Sequence, residues 1–211
     1  MTETALDAAH REMMLDEDDA SARLQFYERL AEVELFVLLE GESDGDTLDP
    51  DLLEIDGSRY VAVFDREERL TEFTARVAPF AAMSGRLVAA MLTGQGVGIV
   101  LNPGVAPSFY LIPPAAVEWL AEMVAASPEE TSQDQVRPRT VAPPRGVPEA
   151  LLKSLDAKLA RAAGLAGSAC LAQVTYSDGR RVDMLALIDA QPGAEGALAR
   201  AVNEALIFSG L

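Results

Sequence analysis

Between residues 127 and 148 the chain changes character. Proline, serine, threonine and charge replace the apolar periodicity found on either side, and no aromatic residue occurs. Such a stretch supplies no core of its own and reads as a linker. In a chain of 211 residues this constrains the fold more than any other feature, because it replaces one continuous core with two smaller ones. The expected organisation is a domain over 1–126, a linker over 127–147 and a small domain over 148–211.

The first segment alternates helical and extended patterns. A helix over 6–15 has a thin apolar face, and Asp16-Glu17-Asp18-Asp19 then opens a stronger one carrying Leu24, Tyr27, Leu30 and Ala31. Residues 34–39 form an apolar run of strand length, and 41–51 an acidic loop. Residues 52–55 and 60–64 flank Asp56-Gly57, a hairpin signal. Asp65 with Glu68 three residues on is a capping-box-like start for a helix that buries Leu70 and Phe73. A strand over 80–83 follows, then a helix capped by Ser84, which carries Leu87, Val88, Met91 and Leu92 and stops at Gly94. A buried strand over 97–101, the turn Asn102-Pro103-Gly104, a strand over 109–112 and a helix opened by Pro113-Pro114 complete the unit.

Beyond the linker, Leu151, Leu152, Leu155 and Leu159 mark a helix. Strands over 169–176 and 181–188 meet at Asp178-Gly179, and a last helix runs from about 195 to 208. The fold class is therefore α/β (α+β): a mixed sheet with flanking helices, followed by a small α-β-β-α domain. The two strands of that domain carry apolar residues on both faces, and an isolated hairpin of this kind is marginal in water. It is expected to pack on the first domain or to build a homo-oligomer through residues 169–188.

Charge limits the partners. The net charge is −17, and residues 1–49 hold 15 acidic and 3 basic side chains. A field of this sign repels phosphate backbones and anionic lipid surfaces, so neither nucleic acid nor membrane is expected as a partner. The apolar stretch 78–101 is interrupted by Gly85, Gly94, Gly96 and Gly98 and falls short of the roughly 20 uninterrupted residues a membrane helix needs. Met1-Thr2-Glu3-Thr4 lacks the basic and apolar regions of a secretion signal, and the lone Cys170 suits a reducing cytoplasm. Cys170, in an apolar strand, is expected to be a buried, inert thiol.

Most chemical devices lack their parts. His10 is the single histidine, far in sequence from any nucleophile, and is expected at the surface. One histidine and one cysteine cannot build a zinc site. The acidic loop fails as a calcium hand, since Asp49 stands where glycine belongs and Ile55 where glutamate belongs. Gly94-Gln95-Gly96-Val97-Gly98 follows a helix and precedes a strand, the reverse of a dinucleotide fingerprint. No catalytic residue, metal or cofactor is expected.

Several blocks in order resemble the SseB family. They are Phe26-Tyr27-Glu28-Arg29-Leu30 leading to Glu34-Leu35-Phe36-Val37-Leu38, then Val63-Phe64-Asp65-Arg66-Glu67-Glu68-Arg69-Leu70, then Gly98-Ile99-Val100-Leu101-Asn102-Pro103-Gly104. Together they are similar to that family's N-terminal domain over roughly residues 20–125. The tail, with Pro148-Glu149-Ala150-Leu151-Leu152 followed by Ala169-Cys170-Leu171-Ala172, resembles a shortened version of its C-terminal domain. The resemblance implies a bacterial cytoplasmic protein. The family name records a serine-sensitivity phenotype, and no catalytic residues or cofactor come with it.

Two functions remain. The first is a non-enzymatic adaptor or regulatory protein-binding module; the alternative is a small-metabolite-binding protein or an unrecognised enzyme linked to amino-acid metabolism. Topology suggests where binding would occur. If the strands ending near residues 64, 83 and 101 run in one direction, their carboxyl ends share an edge, where open α/β sheets bind ligands. The residues following those ends are Asp65, then Ser84, Gly85 and Arg86, then Asn102, Pro103 and Gly104.

Overall fold

The computed structural model describes residues 3–16, 18–41, 48–125 and 138–210. The chain divides into two compact units, Met1–Ala125 and Ala126–Leu211. In chain order the first contains α1 (Ala5–Leu15), α2 (Ala20–Glu32), β1 (Glu34–Leu38), β2 (Leu52–Ile55), β3 (Ser58–Phe64), α3 (Glu67–Thr74), β4 (Phe80–Ser84), α4 (Gly85–Leu92), β5 (Val97–Leu101), β6 (Tyr110–Ile112) and α5 (Pro114–Ala125). The second contains β7 (Pro138–Ala142), α6 (Glu149–Arg161), β8 (Ser168–Tyr176), β9 (Arg181–Ile188) and α7 (Glu195–Phe208). The mixed α/β class holds for both.

The first unit is built on a mixed sheet in the order β4-β1-β3-β5-β6, with β2 paired to β3. The β2–β3 hairpin turns at Asp56-Gly57, both left-handed at φ 50° and 76°, the geometry this dipeptide favours. β3 and β5 are parallel, while β1 runs antiparallel to both β3 and β4. β3, β4 and β5 therefore share one direction and end on one edge. β3 and β4 are not neighbours, however, because β1 lies between them.

Period-two alternation divides the apolar residues between two layers. Phe36, Leu38, Ala62, Phe64 and Val100 meet Leu70 of α3. Leu35, Val37, Val61, Val63, Ile99 and Leu101 are buried on the opposite face. There α2, α4 and α5 pack together, contributing Phe26, Leu30, Val88, Val117 and Leu120. Gly85 opens α4 where a Cβ would lie 1.8 Å from the Leu30 carbonyl oxygen, so the close approach of α4 to α2 requires glycine.

In the second unit, residues 138–142, read from the sequence as linker, form a strand. β7 pairs antiparallel with β8 and extends the predicted hairpin to a three-stranded sheet, β7-β8-β9. Thr140 and Val141, opposite Thr175 and Val174, are β-branched, and two such residues among prolines and arginines made too short a run to stand out as a strand. The remainder of the linker lies partly outside the described residues. α6 and α7 pack together, with Leu151, Leu155 and Ala205 at the centre and Leu185 of the sheet against them. Lys158 of α6 and Glu204 of α7 form a buried ion pair at 2.8 Å.

Candidate functional site

The edge where β3 and β5 end carries a network of buried polar side chains, and α1 closes over it. Thr4 caps α1 in a full capping box: its hydroxyl accepts from the Asp7 N–H and the Asp7 carboxylate accepts from the Thr4 N–H. This fixes the first turn and turns Asp7 toward the sheet edge. Asp7 Oδ1 and Oδ2 accept from Arg69 Nη1 and Nη2 at 2.9 and 2.5 Å, a two-pronged pairing. Arg69 Nη1 also donates to Asp65 Oδ1 at 2.6 Å, and Asp65 Oδ2 accepts from the Thr4 hydroxyl at 2.6 Å.

Asn102 completes the arrangement from the other strand. It is wholly buried and left-handed at φ 47°, a conformation asparagine tolerates better than most residues. Its side chain accepts from the Asp65 N–H at 3.2 Å and donates to Ser108 Oγ at 2.9 Å. Ser108 in turn donates to Asp7 Oδ1 at 2.5 Å. The bonds close a ring through Asp65, Asn102, Ser108, Asp7 and Arg69, drawing on α1, α3 and both strand ends. Arg69 is 2% exposed, and Asp7, Asp65, Asn102 and Ser108 are also buried.

The electrostatics follow from this geometry. Burial pushes the Asp7 carboxyl up, but the bonds from Arg69, Ser108 and Thr4, together with the Arg69 charge, outweigh it and hold the group well below the usual carboxylate range. The same bond to Asp7 raises the Arg69 guanidinium, against the opposing effect of burial. Asp7 and Arg69 both stay ionised at neutral pH.

His10, one turn after Asp7, is buried rather than at the surface. Its ring stands edge-on to Phe26 and Tyr110 at centroid separations of 5.8 and 5.5 Å. The helix judged thin by its apolar residues uses Leu6, His10 and Met13 as its inner face. Burial lowers the His10 pKa, and the Asp7 charge offsets part of that shift. His10 Nε2 and Arg69 Nε are buried and have no hydrogen-bond partner. Both residues line a cavity of about 580 Å³ bounded otherwise by Glu3, Asp7, Arg11, Met14, Val105 and Pro107.

The residues expected at this edge therefore divide into two groups. Asp65 and Asn102 are hydrogen-bonded to each other, with Pro103 and exposed Gly104 in the turn beyond. Ser84, Gly85 and Arg86 follow β4, two strands from β3, about 10 Å away at normal strand spacing, and join none of these bonds. The capping roles also differ from expectation. α3 begins at Glu67 with Arg66 in the cap position and no side-chain cap, because the Asp65 carboxylate is held by Arg69 and Thr4 instead. Ser84 occupies the cap position of α4 without a side-chain bond. Gly85 packs on Leu30 and donates its N–H to the Val33 carbonyl at 3.0 Å. Arg86 is half-buried. Cys170 is exposed, since its strand position faces away from α6 and α7.

Sequence reasoning missed Asp7, Arg69 and Ser108. Thr4 with Asp7 was a visible capping signal, but nothing in sequence spacing joins residue 7 to residues 69 and 108. Among the described residues, no group of three or more His, Cys, Asp or Glu side chains is placed to hold a metal ion, and no helix is long and apolar enough to cross a membrane. A family model, the SseB protein N-terminal domain, matches residues 5–119. No curated protein and no solved structure matches the chain.

Proposed function

We propose that this chain, which belongs to the SseB family through residues 5–119, is a non-catalytic protein-binding adaptor of the bacterial cytoplasm that self-associates through its second unit. One observation carries the reading: a sheet face whose central side chains are uncharged, with Arg180 over Tyr176 at its border. The register sets Cys170, Ala172 and Val174 of β8 opposite Ala186, Met184 and Val182 of β9, with Val141 of β7 beside Val174. The alternate residues, including Leu171 and Leu185, face α6 and α7. On this face Val141, Cys170, Val182, Met184 and Ile188 are exposed, while Val174 between Val141 and Val182 is buried. Among the described residues nothing pairs with the outer side of β9, an eight-residue edge that carries this face to its border. Exposed apolar surface beside an open strand edge favours association.

Charge selects a second copy as the occupant. Residues 1–125 hold 24 acidic and 8 basic side chains, a net of −16, whereas residues 126–211 hold 10 and 9, a net of −1. Two second units can meet without like-charge repulsion, and two first units cannot. A dimer built this way presents two acidic domains to a third, basic partner.

Analytical ultracentrifugation of the full chain tests the reading. A dimer that dissociates on dilution is expected, and Val182→Lys with Met184→Glu should yield a folded monomer. A wild-type chain that stays monomeric at about 100 µM, or a double variant that dimerises unchanged, overturns it. A small-molecule role is the second reading, favoured by the cavity beneath α1.

A further inference from the structure

The second unit holds a cleft of about 450 Å³ between its sheet and its two helices. Leu151 and Leu155 of α6, each 6% exposed, form its floor, with Leu185 of β9 and Val202 of α7 as walls. At the mouth stand Leu206, 40% exposed, the loop over 146–148 and the exposed Asp183. Alternation along β9 puts Asp183 and Leu185 on the side of α6 and α7, and Val182 and Met184 on the opposite face. The cleft is therefore separate from the face proposed to self-associate. Folded interiors leave few voids larger than a water molecule, and an apolar cavity holds water poorly but takes up apolar molecules. Among the described residues lining the cleft, Asp183 alone is charged. Its Oδ1 accepts from the neutral Gln173 amide at 3.3 Å, and among the described residues no ion pair holds the carboxylate. Arg145 and Arg181, which flank the mouth in sequence, are exposed and are not part of the lining.

We propose that this cleft binds a small primary amine carried on an apolar body, as arylalkylamines are. The ammonium donates to the Asp183 carboxylate at the mouth, and the body passes Leu185 and Val202 to reach Leu151 and Leu155. Charge and hydrogen bonding select this chemistry. An ionised carboxylate only accepts hydrogen bonds, so the group that meets it must donate. A charged donor binds it more strongly than a neutral one, which ranks an amine above the corresponding alcohol. A carboxylate head on the same body meets like charge. The volume falls within the ordinary range for small-molecule sites.

The experiment titrates the full chain calorimetrically with phenethylamine, using phenethyl alcohol and phenylacetate as neutral and anionic heads on the same ring. Saturable binding of the amine is expected, with the alcohol about fivefold weaker and phenylacetate at least about tenfold weaker. The net charge of −17 attracts any amine, so variants locate the site. Asp183→Asn leaves the apolar cleft in place and should erase the advantage of the amine over the alcohol. Leu206→Trp, at an exposed position of the mouth, should weaken both by at least about tenfold with an unchanged melting temperature. Val147→Trp repeats the test from the loop should Leu206→Trp fail to fold. Val182→Lys with Met184→Glu, on the opposite face, should bind the amine as the wild type does whatever its state of association. No saturable amine binding up to about 1 mM, equal or tighter binding of phenylacetate, or an amine preference that survives in Asp183→Asn overturns the proposal. Undiminished binding in a folded tryptophan variant, or lost binding in the folded opposite-face variant, overturns it as well.

Discussion

Asp7→Ala is the most informative single perturbation of the first unit. It removes the acceptor of both Arg69 prongs and of the Ser108 hydroxyl, leaving a guanidinium that is 2% exposed with Asp65 as its remaining carboxylate in the ring. Breaking a buried ion pair from one side costs about 3–5 kcal/mol, because the other charge stays buried without full compensation. We expect about 4 kcal/mol here, a large part of the 5–15 kcal/mol that holds a typical domain together. With an m-value of about 2 kcal/mol/M, the urea midpoint should fall by about 2 M. Ser108→Ala alone should cost about 1 kcal/mol. The double variant should cost less than the sum of the singles by at least about 0.5 kcal/mol, since the two groups share a bond. An Asp7→Ala loss under about 1 kcal/mol with an unchanged m-value, or strict additivity with Ser108→Ala, would refute the view that the ring is a coupled unit.

Two further outcomes follow from the same unit. His10 has a lowered pKa when folded, whereas in the unfolded chain it protonates near 6.5; the unfolded state therefore binds more protons as pH falls below that value, and stability should decline there. The depressed Asp7 pKa adds a second loss as pH drops through the ordinary carboxylate range, near 4. Melting temperatures from pH 7.5 to 3 should show both, with the upper one absent in His10→Phe; a flat profile between pH 7 and 5.5 in the wild type counts against the His10 assignment. Gly85→Ala places a Cβ 1.8 Å from the Leu30 carbonyl oxygen and 3.2 Å from the Ala31 Cα, both backbone atoms that side-chain motion cannot relieve. A loss of about 3 kcal/mol or more is expected, read as a melting temperature lower by at least about 6 °C, and a near-neutral result would show that α4 shifts away freely.

Local signals accounted for most of the fold. Turn chemistry between apolar runs identified the β2–β3 and β8–β9 hairpins, and apolar spacing identified α2, α4, α5 and α6. The shared direction of β3, β4 and β5 followed from their helical connections, yet the sequence carried no sign that β1 would separate β4 from β3. β7 was hidden among prolines and arginines, its strand character coming from pairing with β8 rather than from its own composition. The candidate site was readable only in part. Asp65 and Asn102 were named because they follow strand ends, a rule of topology. Asp7, Arg69 and His10 escaped because their burial depends on where α1 docks. A polar residue on a helix with few apolar neighbours looks solvent-facing until a charged partner from another element is known.

The ring also bears on how the chain acquires its structure. Asp7 finds Arg69 across 62 residues and Ser108 across 101. As synthesis proceeds from the amino end, α1 emerges first and waits longest. Its inner face of Leu6, His10 and Met13 has no sheet edge to dock on until the β5–β6 turn has followed. Contacts of such sequence separation form late and slow the approach to the native state, so the segment completed first is among the last to settle. During that interval the nascent first unit exposes the apolar face of α1, the kind of surface that makes incompletely folded chains prone to aggregate.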